Sequence, residues 1–239
     1  MQSTRASILA IAAILMLVHS CSKTSTGETV TDYDGNVYST VTIGNQVWMT
    51  ENLKVTHYRD GTEITNVTDA AAWIALTTEA YCIYNNNASS EVDTYGALYN
   101  WYAATDAHNI APEGWHVPTD AEWKELEMAL GMSQSEADRL GCRGTNEGSK
   151  LASHADLWND GTLENDSEFG TSGFTALPGG DRSHYSGGYV TMGYNGGFWS
   201  ATEYGSTTAW GRELYYVHSD VNRGHFSRRY GFAVRCVRD

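Results

Sequence analysis

Six aromatic residues in the last part of the chain, Tyr185, Tyr189, Tyr194, Trp199, Tyr204 and Trp210, alternate with Gly, Ser, Thr and Asn. Sugar rings present C–H faces that pack on Trp and Tyr, and short polar side chains bind hydroxyls, so this composition suits glycan recognition. Large aromatics are also the ordinary filling of a core. Most tryptophans, with Phe198, are therefore expected inside. Tyr185, Tyr189 and Tyr194 are expected outside, and with Tyr204 they are the candidate ligand-contacting rings. Arg223, Arg228, Arg229, Arg235 and Arg238 follow. A guanidinium grips a carboxylate with two parallel hydrogen bonds, so Arg223 and Arg228 are candidates for a carboxylate or uronic acid. The chain's own carboxylates compete for the same arginines, most directly for Arg235 on a strand.

A second constellation is acidic. Asp156 to Glu168 holds Asp156, Asn159, Asp160, Glu164, Asn165, Asp166 and Glu168. Calcium takes six to eight oxygens from a flexible loop, and Asp156, Asn159, Asp160 and Asp166 are its candidate ligands here. A solvated acidic loop has the same composition. No other cofactor is indicated. For catalysis the chain offers no Gly-x-Ser-x-Gly elbow, no His-Glu-x-x-His and no Cys-x-x-Cys. His116 reads as packing, and the chain is not expected to be an enzyme.

The elements that must position these residues begin with a helix. Pro112 and Pro118 hold Ala111 to Val117 extended. Thr119 and Glu122 have the spacing of a capping box. Trp123, Leu126 and Leu130 form one apolar stripe, with Lys124, Glu125 and Glu127 towards water. Gly131 ends the helix, and a weaker helix is predicted from Gln134 to Leu140. Before them, Asp34-Gly35, Gly44-Asn45 and Asp60-Gly61 mark hairpins between alternating strands, among them Val37 to Ile43 and Gln46 to Met49. A short helix is predicted near Asp69 to Leu76, a strand over Tyr81 to Tyr84 and a brief aromatic helix over Ala97 to Ala103. From Gly144 to Tyr230 glycines recur every few residues. This reads as long ordered loops with short strands around Gly197 to Ala201 and Glu213 to Val217. Phe232 to Val237 alternates as a closing strand should.

Bulk numbers narrow the partners. With 15 Lys+Arg against 29 Asp+Glu, the 239 residues carry a net charge of −14, which excludes nucleic acid. The first twenty residues read as an export signal, with Arg5 before an apolar run from Ile8 to Val18 that is too short to span a bilayer. Val18-His-Ser-Cys21 follows, resembling a lipobox, so Cys21 is the expected lipidation site and acyl chains the membrane anchor. Residues 21–29 are then a polar tether and 30–239 a single domain. Cys82, Cys142 and Cys236 remain, an odd number that allows one internal disulfide. Cys82 and Cys236 both lie in strand-like runs and are the expected pair, with Cys142 free.

Ordered blocks along the chain resemble the FISUMP family, the Fibrobacter major paralogous domain. They include Ile43 to Lys54, Tyr81 to Asn86, Tyr95 to Tyr102, Gly114 to Trp123, Gly144 to Leu151, Phe174 to Gly180, Gly197 to Thr202 and Gly231 to Asp239. The block at Gly114 to Trp123 is distantly similar to the helix start of formylglycine-generating-enzyme-like domains. That resemblance implies an α+β, C-type-lectin-like fold. It should have two main helices, short antiparallel sheets, long ordered loops, and N- and C-terminal strands side by side. Those enzymes hold copper with a close pair of C-terminal cysteines, whereas Cys236 stands alone, so the resemblance does not carry the activity. The expectation is an exported outer-membrane lipoprotein binding a glycan or a surface protein through Gly/Tyr-rich loops. Its alternative is a structural or adhesive component of a surface assembly.

Overall fold

A computed structural model of the protein describes residues 27–87 and 91–239. The signal sequence over 1–20, Cys21 and most of the tether lie outside the described residues. Strands β1 (Thr29–Thr31), β2 (Val37–Ile43) and β3 (Gln46–Met49) form an antiparallel meander. Its turns fall at the predicted dipeptides, with Gly35 and Gly44 at φ 83° and 60°, where a Cβ is disfavoured.

Helix α1 (Ala70–Ile74) is capped by Asp69, whose carboxylate accepts the Ala72 N–H at 2.7 Å. Strand β4 (Tyr81–Cys82) precedes α2 (Glu91–Tyr95) and pairs with β5 (Leu98–Tyr99). The aromatic helix predicted over 97–103 is divided accordingly. Only α3 (Trp101–Ala104) is helical, because buried Asn100 caps it and also accepts the Ala80 N–H. After β6 (Trp115–His116) comes α4 (Asp120–Ala129), with the Thr119–Glu122 capping box formed in both directions. The second main helix is reduced to α5 (Gln134–Ala137), since the chain turns at once into β7 (Gly141–Arg143). Helix α6 (Glu147–Leu151) follows.

The later region is more regular than its composition indicates. After β8 (Asp181–Arg182) and β9 (Tyr189–Val190), strands β10 (Asn195–Gly205), β11 (Thr208–Tyr215) and β12 (Val221–Ser227) make a sheet in the order β10-β11-β12-β7. Glycines inside these strands hide the alternation that would have announced them. They permit close packing: a Cβ on Gly197 would meet the Phe232 ring at 2.7 Å, and one on Gly211 the Phe226 ring at 2.9 Å.

The chain closes on itself. β13 (Val237–Arg238) lies between β3 and β6, with Val237 opposite both Trp48 and His116. The predicted strand from Phe232 mostly bonds outside that ladder. Ala233 accepts from the Trp199 N–H and donates to the Gly197 carbonyl, whereas Val234 and Cys236 accept from Leu53 and Met49. One segment thus stitches the two larger sheets together. Trp48, Trp123, Phe174 and Phe198 fill the space between, with ring centroids 5.1–6.3 Å apart. The architecture is α+β.

The expected disulfide is not formed. Cys82 is a buried free thiol packed with Trp73, Ala80 and Leu98, whereas Cys236 is a buried free thiol in the larger cluster with Met49 and Val234. The two strand-like runs belong to different cores. Cys142 is exposed on β7.

Candidate functional site

The site is built on α4. Asp120, Trp123 and Glu127 recur at helical spacing on one face, and that face meets β11, β12 and β7. Asp120 takes both prongs of Arg223, at 2.9 and 2.6 Å, and Arg212 at 2.9 Å. Glu127, expected in water, is fully buried and accepts from Arg212 at 2.6 Å and from Arg143 at 2.5 Å. Three guanidiniums therefore share two carboxylates. Burial alone would raise the Asp120 pKa, but the hydrogen bonds and charges of Arg223 and Arg212 outweigh it and hold the carboxyl below its usual range.

Arg223 connects this interior to the surface. Its guanidinium lies 3.7 Å from the centroid of Trp210, a cation–π contact. Trp210 stands opposite His225 in the β11–β12 register. Tyr204 stacks on the His225 ring at 4.0 Å with 1° between planes, and Trp210 meets Tyr204 edge-on at 4.9 Å. Tyr204 is 49% exposed. The result is a ledge of three rings on strands, fixed from behind by an arginine that is itself fixed by Asp120. Such a ledge presents flat apolar area at little entropic cost, since its rotamers are already set.

The predicted ligand-contacting residues do not form one cleft. Tyr204 and Tyr194 sit at opposite ends of β10, roughly 30 Å apart by strand rise. Tyr194 packs edge-on against Tyr216. Tyr185 is 86% exposed between β8 and β9. Tyr189 is held inward, over the Arg182 guanidinium at 4.8 Å and bonded to Asn86. Arg223 and Arg228 are not free for a ligand: Arg223 serves Asp120, and Arg228 pairs with Glu203 at 3.0 Å, bonds the Gly205 carbonyl and lies over Trp101. Arg235 is fully buried, but its partners are Asn52 and the carbonyls of Met49, Phe174 and Thr175, not a carboxylate.

The acidic loop does not assemble a calcium site from its predicted ligands. Asp160 accepts from Asn165, Asp166 caps the Glu168 N–H, Asp156 lies in the 3-10 turn Ala155–Leu157, and Asn159 donates its backbone N–H to the Gly193 carbonyl. Among the described residues, no group of three or more His, Cys, Asp or Glu side chains could hold a metal ion. A recess of about 340 Å³ lies beside this loop, lined by Glu51, Asp93, Thr94, His154, Leu157 and Leu177 among others. His116 bridges Asp239 and Glu122 at 2.7 and 2.8 Å.

What the sequence left unread was Trp210 with His225 as partners of Tyr204, and Asp120 with Glu127 as anchors. The spacing of Asp120, Trp123 and Glu127 was the available signal for the anchors. The ring pairing depends on strand register and had none. A family model described as the Fibrobacter succinogenes major domain matches residues 41–238. No curated protein and no solved structure matches the chain.

Proposed function

The chain belongs to the Fibrobacter succinogenes major domain family, and from that premise we propose that it is a non-enzymatic recognition domain whose Tyr204–Trp210–His225 ledge binds a glycan. The observation that carries the reading is the face-to-face stack of Tyr204, half exposed on β10, with His225 on β12, bordered edge-on by Trp210, which Arg223 braces. A pyranose face packs on such rings, and the neighbouring Thr202, Glu203 and Ser206 offer partners for its hydroxyls. Because Arg223 and Arg228 are already paired, the ligand is a neutral saccharide rather than a uronic acid. A C-type-lectin-like arrangement accords with the closing strand beside β3. The protein is exported and anchored through lipid on Cys21 in the outer membrane, as the leader's sequence indicates. A glycan array probed with the purified protein tests the reading. Specific neutral hits that Tyr204→Ala loses by at least tenfold support it; a blank array, or hits indifferent to Tyr204, ends it. One observation favours an adhesive role in a surface assembly instead: Tyr185 projects almost wholly into solvent from a hairpin, as an anchor for a protein neighbour would.

A further inference from the structure

Four carboxylates, Asp32, Glu147, Asp181 and Glu213, are buried among the described residues with no bonded Lys, Arg or His, and the last two share one face of the fold. Asp181 is 5% exposed and Glu213 8%, and among the described residues neither bonds a Lys, Arg or His. Between them lies Asn195, 4% exposed. Its Nδ2 donates to Glu213 Oε1 at 3.0 Å, which leaves its Oδ1 one amide width from that carboxylate, and Oδ1 has no donor at all. Thr191 ties the other side: its carbonyl accepts the Asn195 N–H, and its hydroxyl donates to Asp181 Oδ2 at 2.8 Å.

Register puts these groups on one face. Gly180 bridges Gly196 in parallel, and Gly197 stands opposite Glu213. Alternation then turns Asp181, Asn195 and Glu213 to the same side. Tyr215 and Asn222, which both donate to Glu213 Oε2, share it.

A buried oxygen requires a donor or a cation. Glu213 Oε1 accepts once, Asp181 accepts a single bond, and Asn195 Oδ1 accepts none. Burial pushes the Asp181 carboxyl up to about 6, although Thr191 opposes it, and Glu213 adds to the rise. Two carboxylates and an unpartnered amide oxygen therefore share one face, and among the described residues no Lys, Arg or His side chain bonds any of them. Carboxylate and amide oxygens are hard ligands, and with neither imidazole nor thiolate in the set they suit calcium rather than zinc.

We propose that Asp181, Asn195 and Glu213 bind a divalent cation of the calcium class, with Thr191 positioning the first two. The site is distinct from the acidic loop at 156–168 and independent of the glycan reading. Its effect is mechanical: the cation joins the β8–β9 hairpin to β10 and β11, so the segment that carries Tyr185 is held against the sheet.

The test uses the purified protein stripped with EDTA. Calcium added to millimolar concentration should raise the melting temperature in a concentration-dependent way. Terbium should give luminescence sensitised by Tyr215, which bonds Glu213, and displaced by calcium. Asp181→Asn removes a charge without changing shape and should abolish both responses, whereas Asp160→Asn should keep them. If Asp181→Asn does not fold, Asn195→Asp supplies a third carboxylate and should bind terbium more tightly than the native chain. No thermal shift and no terbium signal at millimolar ion would overturn the proposal. So would responses that survive Asp181→Asn, or that Asp160→Asn removes.

Discussion

Glu127 has no solvent exposure and two guanidiniums on its carboxylate, so the charges of Arg143 and Arg212 depend on it. Glu127→Ala leaves them buried and short of a partner, which is expected to cost about 3–5 kcal/mol. Glu203→Ala removes the exposed partner of Arg228, which keeps its bond to Gly205, and is expected to cost less than about 1 kcal/mol. Urea unfolding of both variants checks the contrast; similar midpoints for the two would contradict it. At this scale the sequence was only half legible. Glu127 looks like a solvated helix residue because its partners lie 16 and 85 positions away. Thr119 and Glu122, whose interaction spans three residues, were readable outright.

At the scale of elements, the start of α4 is bound to the end of the chain through His116. Both ring nitrogens face carboxylates, so the ring serves best as an imidazolium that donates to Asp239 and to Glu122. Burial lowers its pKa, yet those hydrogen bonds win and the net shift is upward. The folded value thus lies above the unfolded value of about 6.5. A raised folded pKa means that the contribution is complete below the unfolded pKa and is lost as pH rises through the folded one. Stability measured from pH 6 to 9 should therefore fall with a component that His116→Gln lacks; equal slopes in the two proteins would refute the linkage. Element prediction itself succeeded where local chemistry decides. The α4 cap, the Asp69 cap and the glycine turns at 35 and 44 are all written in neighbouring residues. It caught only the middle of β10, at 197–201, and the end of β11, at 213–215, and missed β12; across these strands glycines at 196, 197, 211 and 224 replace the side chains whose alternation marks a strand. For Gly197 and Gly211 the reason lies in the rings of Phe232 and Phe226, which belong to other segments, and for Gly196 in the Leu177 carbonyl, whereas Gly224 meets Phe226 of its own strand.

For the molecule as a whole, the thiols report how many cores must open together. Cys82 and Cys236 looked like a pair because each sits in an apolar run, but sequence alternation does not say which core a run enters. Cys82 lies with Trp73 and Leu98, and Cys236 with Met49 and Val234, while Trp199 and Phe232 pack against one another within that larger cluster. Burial pushes the Cys82 thiol up to about 11 and drives Cys236 higher still, so neither forms a reactive thiolate while folded. Cys142 is also raised, by partial burial and by Asp220, but it stands at the surface. An aromatic disulfide reagent at pH 8 should therefore label Cys142 slowly in the native protein and leave Cys82 and Cys236 untouched. The segment from Phe232 to Cys236 bonds both larger sheets and, through Tyr99, the β4–β5 pair that carries Cys82. Opening either buried thiol then requires releasing that shared segment. Peptide mapping of labelled protein along a urea series should find Cys82 and Cys236 becoming reactive in a single transition with one midpoint. Two separated midpoints would mean that the cores unfold independently and that the closing segment does not couple them.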